Sequence, residues 1–264
     1  MGNRLARRLG VIDALLQRQS LLRWSRAARG AATAELSRLR RERTRAHALR
    51  HRLDELLEVA ESRLALPRIG SSSFPRPAGT DWSWRPRLWR GPLALKGLAG
   101  VESRTTIGGE ATVFHDCRIS ELTLRQVRNA READLAPFGL RLDVFRFDGS
   151  FLSLAIDLPD SACEGLRRRH LIRLDVMVEL EKPLEIFARL NVRHGPNTET
   201  ILRELPLHEG PPWDQVWVEF DLAYSKLNEK RVEKMWIDLI FEGPEMNQIT
   251  LRDLTLARYP RAEL

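Results

Sequence analysis

The closing stretch MWIDLIFEGPEMNQITLRDLTLARYP, residues 235–260, contains two runs of alternating apolar and polar residues joined across a Gly-Pro pair. Such alternation places the apolar side chains of a β-strand on one face, so the stretch predicts two antiparallel strands connected as a hairpin. In the second run the apolar parity changes between Leu251 and Leu254. A slip of one residue near Arg252–Asp253 therefore predicts a β-bulge.

The same alternation extends upstream to about residue 110. It predicts strands over 111–116, 140–147, 150–158, 171–181, 184–194, 198–206, 215–222, 232–242 and 248–258. FRFDGSFLSLAIDL (145–158) and VELEKPLEIFARL (178–190) predict two further hairpins, because Asp-Gly and Lys-Pro pairs occupy the turns. Residues 120–137 begin like a strand and continue with helix-forming residues, which leaves both assignments open. The succession of strands predicts a mainly β protein with an antiparallel, jelly-roll-like β-sandwich.

The N-terminal quarter has a different character. Residues 4–28 and 32–65 carry apolar residues at helical spacing, and the second segment repeats leucine and alanine every seven residues. We expect an α-helical hairpin or a short coiled coil that forms a homo-oligomer. Residues 1–70 contain 16 Arg, no Lys and 7 acidic residues, a net charge of +9. The alternatives are therefore a basic amphipathic helix on an anionic membrane surface, or a solvated arm.

The distribution of charge along the chain indicates which kinds of partner the main domain can bind. The remaining 194 residues hold 27 basic and 29 acidic side chains, and a nearly neutral main domain argues against nucleic-acid binding. The two cysteines, Cys117 and Cys163, form no disulfide framework, which is typical of a reducing compartment. Because no apolar run approaches about 18 residues, we expect a cytoplasmic protein without a membrane span.

Between the helices and the strands, residues 67–80 are rich in Pro, Ser and Gly, and DWSWRPRLWRGP follows at 81–92. The three tryptophans could stack on a sugar or base, but a strap whose indoles close one end of the sandwich is the favoured interpretation. These patterns predict an Arg-rich helical segment over 1–66, a Pro/Ser/Trp-containing linker over 67–100 and the sandwich over 101–264.

Four of the predicted strands, those over 171–181, 184–194, 215–222 and 232–242, share one layout. One parity is wholly apolar, whereas the other mixes aromatic rings with amides and charged groups. Rings stack on the apolar face of a pyranose while polar groups hydrogen-bond its hydroxyls, so this face is a candidate saccharide platform. The alternative is a face that is solvated or covered by the N-terminal helices. The candidate ligand-binding residues are Asp175, Phe187, Arg189, Asn191, Trp217, Trp236 and Asp238.

The final strand, with its pattern apolar-x-apolar-x-Asp-apolar, resembles the closing strand of jelly-roll carbohydrate-binding modules and related galactose-binding-like domains. In many such modules an acid on that strand holds a structural calcium. The resemblance implies this role for Asp253, together with Glu110 from the first strand. Longer blocks, including HGPNTETILRELPL (194–207), resemble an uncharacterised family of alphaproteobacterial proteins, a domain of unknown function.

Catalytic motifs are weak. FHDC (114–117) places His115, Asp116 and Cys117 together, but neighbours on a strand point to opposite faces, which disfavours a Cys-His nucleophile pair. We therefore expect no catalytic residue and interpret the chain as a non-enzymatic binding or scaffold module, with a saccharide or a glycan-bearing partner as its ligand. A peripheral membrane or assembly adaptor acting through the basic helices is the alternative, and an uncharacterised enzyme is the third.

Overall fold

A computed structural model describes residues 2–65, 74–131, 134–208 and 213–261. The chain divides near residue 56 into two compact units. The first contains helix α1 (Gly2–Gly30), a 3₁₀ turn (Ala31–Thr33) and most of helix α2 (Leu36–Ala65). Both helices confirm the periodicity of the sequence, and α1 ends at the glycine that interrupts it. The described part of these helices is not long and apolar enough to cross a membrane.

The described side chains of α1 and α2 are exposed or partly exposed. Eight leucines are between 39% and 70% exposed: Leu16, Leu21, Leu22, Leu36, Leu49, Leu53, Leu56 and Leu57. So many exposed leucines are unusual on solvated helices, because each leucine in water forgoes the stabilisation of burial. The helical hairpin, the coiled coil and self-association stay predictions.

The second unit is a mainly β sandwich. Its strands are β1 (Trp82–Trp84), β2 (Gly97–Ala99), β3 (Thr105–Ile107), β4 (Ala111–His115), β5 (Leu122–Arg128), β6 (Phe138–Val144), β7 (Leu152–Asp157), β8 (His170–Leu180), β9 (Ile186–His194), β10 (Asn197–Glu204), β11 (Trp213–Asp221), β12 (Val232–Phe241) and β13 (Asn247–Pro260). The first sheet has the order β11-β8-β13-β6-β5-β2, with β1 also paired to β13, and the second has the order β10-β9-β12-β7-β4-β3. Neighbouring strands are antiparallel, which confirms the predicted sandwich.

The connections differ from those predicted. The pairs β6–β7, β8–β9 and β12–β13, each expected to be a hairpin, have one strand in each sheet. The Asp-Gly, Lys-Pro and Gly-Pro pairs therefore turn the chain from one layer to the other. Hydrogen-bonded hairpins occur instead at β3–β4, β5–β6 and β9–β10. A strand crossing to the opposite layer and a strand paired beside its predecessor both present one apolar face to the same core, so alternation does not distinguish them.

The predicted core residues lie between the sheets. In β12 the side chains of Met235, Ile237, Leu239 and Phe241 are at most 1% exposed, and the corresponding parities of β8, β9 and β11 are buried in the same way. The ambiguous segment forms strand β5 over Leu122–Arg128, and its later part, where described, contains no helix. Apolar side chains from both sheets thus fill one interior.

The bulge in β13 is also confirmed, since its register against β8 shifts between Leu251 and Asp253. Side chains bond the polar groups around it. The indole of Trp89 donates to the Leu251 carbonyl at 2.9 Å, and the amide of Asn129 donates to the Arg252 carbonyl at 2.8 Å. Arg85 donates two bonds to the Asp253 carboxylate.

The described part of the segment predicted as a linker, residues 74–100, is therefore part of the sandwich, and residues 67–73 lie outside the described residues. Residues 82–84 form β1, residues 97–99 form β2, and the short helix α3 (Arg87–Arg90) buries Trp89 completely. We call residues 74–90 the strap. Its tryptophans are packing residues, as the strap interpretation expects, because the indoles of Trp82 and Trp84 also pack against the core. These elements lie before residue 100, where the sequence placed the start of the sandwich. The sequence did not indicate them, because an alternation of three residues between prolines and arginines is too short to predict a strand.

Candidate functional site

The seven candidate ligand-binding residues lie on two different outer faces. Trp217 on β11 and Asp175 on β8 face outward from the first sheet, where they are cross-strand partners. The other five lie on β9 and β12 of the second sheet. The single platform predicted for four strands is thus two platforms, because β8 and β11 belong to one layer and β9 and β12 to the other.

On the second sheet, the pairing register places the candidates in rows. Trp236 is opposite Asn191, and Asp238 is opposite Arg189. On its other side β12 pairs with β7, whose outward residues are Ser153, Ala155 and Asp157. Strand β4 continues this surface with Thr112 and Phe114. We call this surface the β7 groove. It has a volume of about 510 Å³ and is lined by Thr112, Phe114, Phe151, Ser153, Ala155, Asp157, Arg189, Arg193, Lys234, Trp236 and Asp238.

The groove follows from the sizes of its side chains. β7 presents the short Ser153 and Ala155 along the middle of the surface, while the strands on either side present Trp236 and Phe114. Short side chains between long ones leave a depression, with an indole on one flank and a phenyl ring on the other. Phe151, which is 42% exposed, adds a third ring to the lining.

A polar network supports the indole side of the groove. The Asp238 carboxylate, 6% exposed, accepts hydrogen bonds from Arg189 Nε at 2.9 Å and from the Asn191 amide at 2.9 Å, and Arg189 Nη2 lies 2.8 Å away as an ion-pair contact. All three contacts reach Oδ2, and within the part of the chain that the structure describes Oδ1 has no donor. A fixed carboxylate oxygen with remaining acceptor capacity is suited to hold a hydroxyl.

Further cations and acids surround this network. Lys234 Nζ lies 2.8 Å from Asp157 Oδ1 and 5.9 Å from the centre of the Trp236 ring. Arg193, the cross-strand partner of Lys234, donates from Nε to Glu233 at 3.1 Å. The groove therefore combines three rings with fixed acceptors and charged donors.

The outer face of the first sheet is organised differently. The Arg173 guanidinium lies 4.2 Å from the centre of the Trp217 ring and donates two bonds to Asp175. Asp175 also lines a cavity of only about 30 Å³ beneath Phe74 and Pro75 of the strap. The indole remains 48% exposed, but its ring already has a cation against it. Around Trp217 and Asp175 this face therefore has less room for a ligand than the β7 groove, and the depression of about 440 Å³ on the same sheet lies elsewhere, at β2, β5 and β6.

The calcium role implied for Asp253 and Glu110 gains no support from the geometry. Both carboxylate oxygens of Asp253 are engaged by Arg85, at 2.9 and 2.7 Å. Glu110 belongs to the turn before β4, in the other sheet, and accepts from the backbone N–H of Arg87 at 2.6 Å. Burial raises the pKa of both carboxyl groups. Among the described residues, no three His, Cys, Asp or Glu side chains cluster as metal ligands. These acids do not fit a calcium site, and the metal stays a prediction.

The FHDC motif serves the backbone. His115 is 6% exposed, contacts the Val101 carbonyl through Nε2 at 2.8 Å, and accepts from the Cys117 N–H through Nδ1 at 3.2 Å. Asp116 accepts from the N–H and hydroxyl of Ser150. Burial raises the pKa of the Cys117 thiol, which disfavours the thiolate that a nucleophile requires. The arrangement holds a loop together and has no features of a catalytic pair.

Of the five candidates on the second sheet, Arg189, Trp236 and Asp238 line the groove, Asn191 supports it from below, and Phe187 does not line it. Reasoning from sequence missed the lining that β4, β7 and the preceding loop contribute. Its signal was present in the outward parity of β7, where Ser153 and Ala155 are unusually small. That signal becomes informative only when β7 is known to lie between β12 and β4.

The sequence matches the model of the Family of unknown function (DUF6478) over residues 4–264. The chain belongs to this family. A comparison with curated protein sequences gives no match.

Among solved structures, the DUF6478 chain is similar to the family 11 carbohydrate-binding module of the cellulosomal cellulase Lic26A-Cel5E of Clostridium thermocellum, with 11% identity, a TM-score of 0.39, and 66% of this chain and 99% of that chain covered. It is also similar to a cyclase from Fischerella sp. TAU in complex with 4-(1H-indol-3-yl)butan-2-one, with 12% identity, a TM-score of 0.41, and 72% and 99% covered.

A third similar structure is the enzymatically active domain of tailspike protein 4 of bacteriophage CBA120, with 7% identity and a TM-score of 0.41. The match covers 55% of this chain but only 19% of the tailspike chain. With TM-scores below 0.5 for all three, these likenesses carry no argument about function. The geometry of the site has to carry it.

Proposed function

We propose that the sandwich is a non-enzymatic module that binds a saccharide or a glycan-bearing partner in the β7 groove. The observation that carries this proposal is the position of the Trp236 ring beside the Asp238–Arg189–Asn191 network. An indole on an outer face has no packing role in the core, and a sugar ring stacked on it would remove apolar surface from water. The volume of about 510 Å³ is of the size that small-molecule sites have.

The network supplies what a stacked sugar requires next. Sugar hydroxyls need donors and acceptors held in place before the ligand arrives, because ordering them on binding would cost conformational entropy. Asp238 is nearly buried, accepts two hydrogen bonds and is ion-paired with Arg189, so its carboxylate is fixed. Since Asp157 and Asp238 are each ion-paired with a cation, both acids suit hydrogen bonding to a ligand rather than proton transfer.

Two tryptophan variants of the full-length chain test the proposal. Trp236→Ala removes the ring of the groove, whereas Trp217→Ala removes an outward indole from the opposite sheet. A glycan array with the wild-type protein identifies binding sugars, and isothermal titration calorimetry then compares the variants. We expect Trp236→Ala to weaken binding at least tenfold and Trp217→Ala to leave it unchanged, since stacking on an aromatic ring contributes about 0.5–1.5 kcal/mol in addition to the burial of its apolar surface.

Thermal melting provides the folding control for both proteins. Retained binding by a folded Trp236→Ala protein, or an equal loss in both variants, would contradict the assignment of the site. An array without any bound sugar would contradict the proposed function itself.

The exposed leucines of α1 and α2 favour a second candidate, a peripheral membrane or assembly adaptor. They are accompanied by the N-terminal net charge of +9 given by 16 Arg and 7 acidic residues in residues 1–70. Such a segment would dock on anionic lipid or on a second copy of the chain. Flotation with vesicles containing anionic lipid should decrease as salt rises, because charges more than about 10 Å apart are screened at 0.1 M salt. Absence of flotation at low salt, with a dimeric mass by light scattering, would leave self-association.

A further inference from the structure

The β7 groove is lined by charged side chains of both signs. Three cations, Arg189, Arg193 and Lys234, face two acids, Asp157 and Asp238. Arg189 is paired with Asp238 and Lys234 with Asp157, so these four groups neutralise one another within the groove. The partner of Arg193 is Glu233, which does not belong to the lining. The lining residues alone therefore carry one more positive than negative charge, and Arg193 is paired with a carboxylate outside the lining, through Nε at 3.1 Å.

Arg193 lies where a substituent of a stacked sugar would reach. Arg193 and Lys234 are direct cross-strand partners in the row next to that of Asn191 and Trp236. Residues on the same face of a strand repeat about every 6.7 Å, which is the distance between these two rows. A ring stacked on the indole would thus direct a substituent towards two adjacent cations.

Two features of Arg193 and Lys234 favour the binding of an anion between them. Like charges directly opposite each other on neighbouring strands repel, and an anion between them removes this repulsion. The Arg193 side chain is 50% exposed and uses Nε for Glu233. Within the described parts of the chain its two terminal nitrogens have no acceptor, so they present a fork that matches a carboxylate or a sulfate.

We infer that the groove is specific for an acidic saccharide, whose anionic group on the ring is held between Arg193 and Lys234 while the ring stacks on Trp236. This inference rests on the proposed function and assigns its substrate class. The anionic group could be a uronate carboxylate or a sulfate ester, which share the same charge-assisted contacts. Asp238, beyond the indole, would accept a hydroxyl of the same or the neighbouring sugar.

The experiment compares ligands of the same shape but different charge. Oligogalacturonate, its fully methyl-esterified form and a sulfated galactan oligosaccharide are titrated into the full-length protein by calorimetry at low salt. We expect the acid to bind at least tenfold more tightly than its ester, and its affinity to fall as salt rises. The sulfated ligand distinguishes the two anionic groups, since preference for one identifies which group the fork holds.

Arg193→Gln is the test variant, and Arg125→Gln is its matched control. Arg125 lies on β5 of the first sheet and its side chain is likewise 50% exposed with a carboxylate partner. Arg193→Gln should weaken oligogalacturonate about tenfold, as expected for the loss of a charge-assisted hydrogen bond, and leave the ester unchanged. Arg125→Gln should change neither affinity.

The outcomes separate the two proposals. Equal binding of acid and ester, or an unchanged preference in a folded Arg193→Gln protein, overturns the acidic class. If neutral sugars then bind in a way that requires Trp236, the proposed function still holds. If no charged or neutral saccharide binds the wild-type protein, both proposals fail.

Discussion

Replacing Arg85 by Met should cost the sandwich a large part of its stability. The guanidinium is completely buried, donates to Asp253 at 2.9 and 2.7 Å, and lies 4.9 Å from the centre of the Phe74 ring. Met has a similar length but no charge, so the Asp253 carboxylate would stay buried without its partner. Breaking a buried pair in this way costs about 3–5 kcal/mol, compared with a total stability of roughly 5–15 kcal/mol for a domain.

Urea unfolding followed by tryptophan fluorescence measures this loss, and a decrease in Tm of about 10 °C is expected from the usual ratio of free energy to Tm. The double variant Arg85→Met with Asp253→Asn is the control. It should recover a substantial part of the stability, because no charge is left buried and an amide oxygen can still accept from the Leu254 N–H. A single variant within about 1 kcal/mol of the wild type, or a double variant no more stable than the single one, would refute the reasoning.

The Arg85–Asp253 pair should also make the stability of the Arg85→Met variant depend on pH. Burial raises the pKa of Asp253, and the Arg85 guanidinium opposes that rise. Without Arg85 the folded pKa lies further above the unfolded value, so folding of the variant is favoured by protonation of the carboxyl group. This contribution is present at low pH and lost as pH rises through the folded pKa. The difference in unfolding free energy between wild type and Arg85→Met should therefore widen from about pH 4 to about pH 7.

Three further outcomes follow from named contacts. Gly149→Ala should lower the free energy of unfolding by about 1–3 kcal/mol, because a Cβ at this position would lie 2.5 Å from Asp116 Oδ1. At Gly30 a Cβ would have no atom within 4 Å, so Gly30→Ala should not destabilise the helix. Thermal melts compare the two variants. Burial lowers the pKa of His170, so the stability it contributes is present above an unfolded pKa of about 6.5 and is lost as pH falls; a His170→Gln variant should show less of this loss in urea titrations at pH 5 and 7. EDTA should leave the Tm unchanged, since Arg85 engages both oxygens of Asp253, and a decrease would restore the calcium hypothesis.

The burial of the strands could be predicted from the sequence, because it depends on local alternation. Ile237 and Leu239 are fully buried as their parity indicates, and the bulge before Asp253 appears as a change of parity. Both features require only that one face of each strand meets an apolar core. Partners in space do not enter that argument, so a single sequence was sufficient.

The pairing of the strands could not be predicted in this way. The connection between β12 and β13 comprises residues 242–246, and that between β8 and β9 comprises residues 181–185. Five residues can span up to roughly 17 Å, and packed sheets are about 10 Å apart. A loop of hairpin length is thus also long enough to cross the sandwich, and its Gly or Pro serves either turn. For this reason the two candidate tryptophans were assigned to one face when they lie on two.

The strap distinguishes the surroundings of the first sheet's outward residues from those of the β7 groove. Its residues reach the bulge of β13, where Trp89 bonds the backbone carbonyl of Leu251 and Arg85 bonds the side-chain carboxylate of Asp253. The outer face of the first sheet is thereby partly covered, and its polar side chains stabilise the fold. On the second sheet the side chains of Asp157 and Arg193 remain 52% and 50% exposed beside the Trp236 ring. The charged residues beneath the strap are thus bonded within the fold, whereas those of the β7 groove keep exposed polar atoms for a ligand.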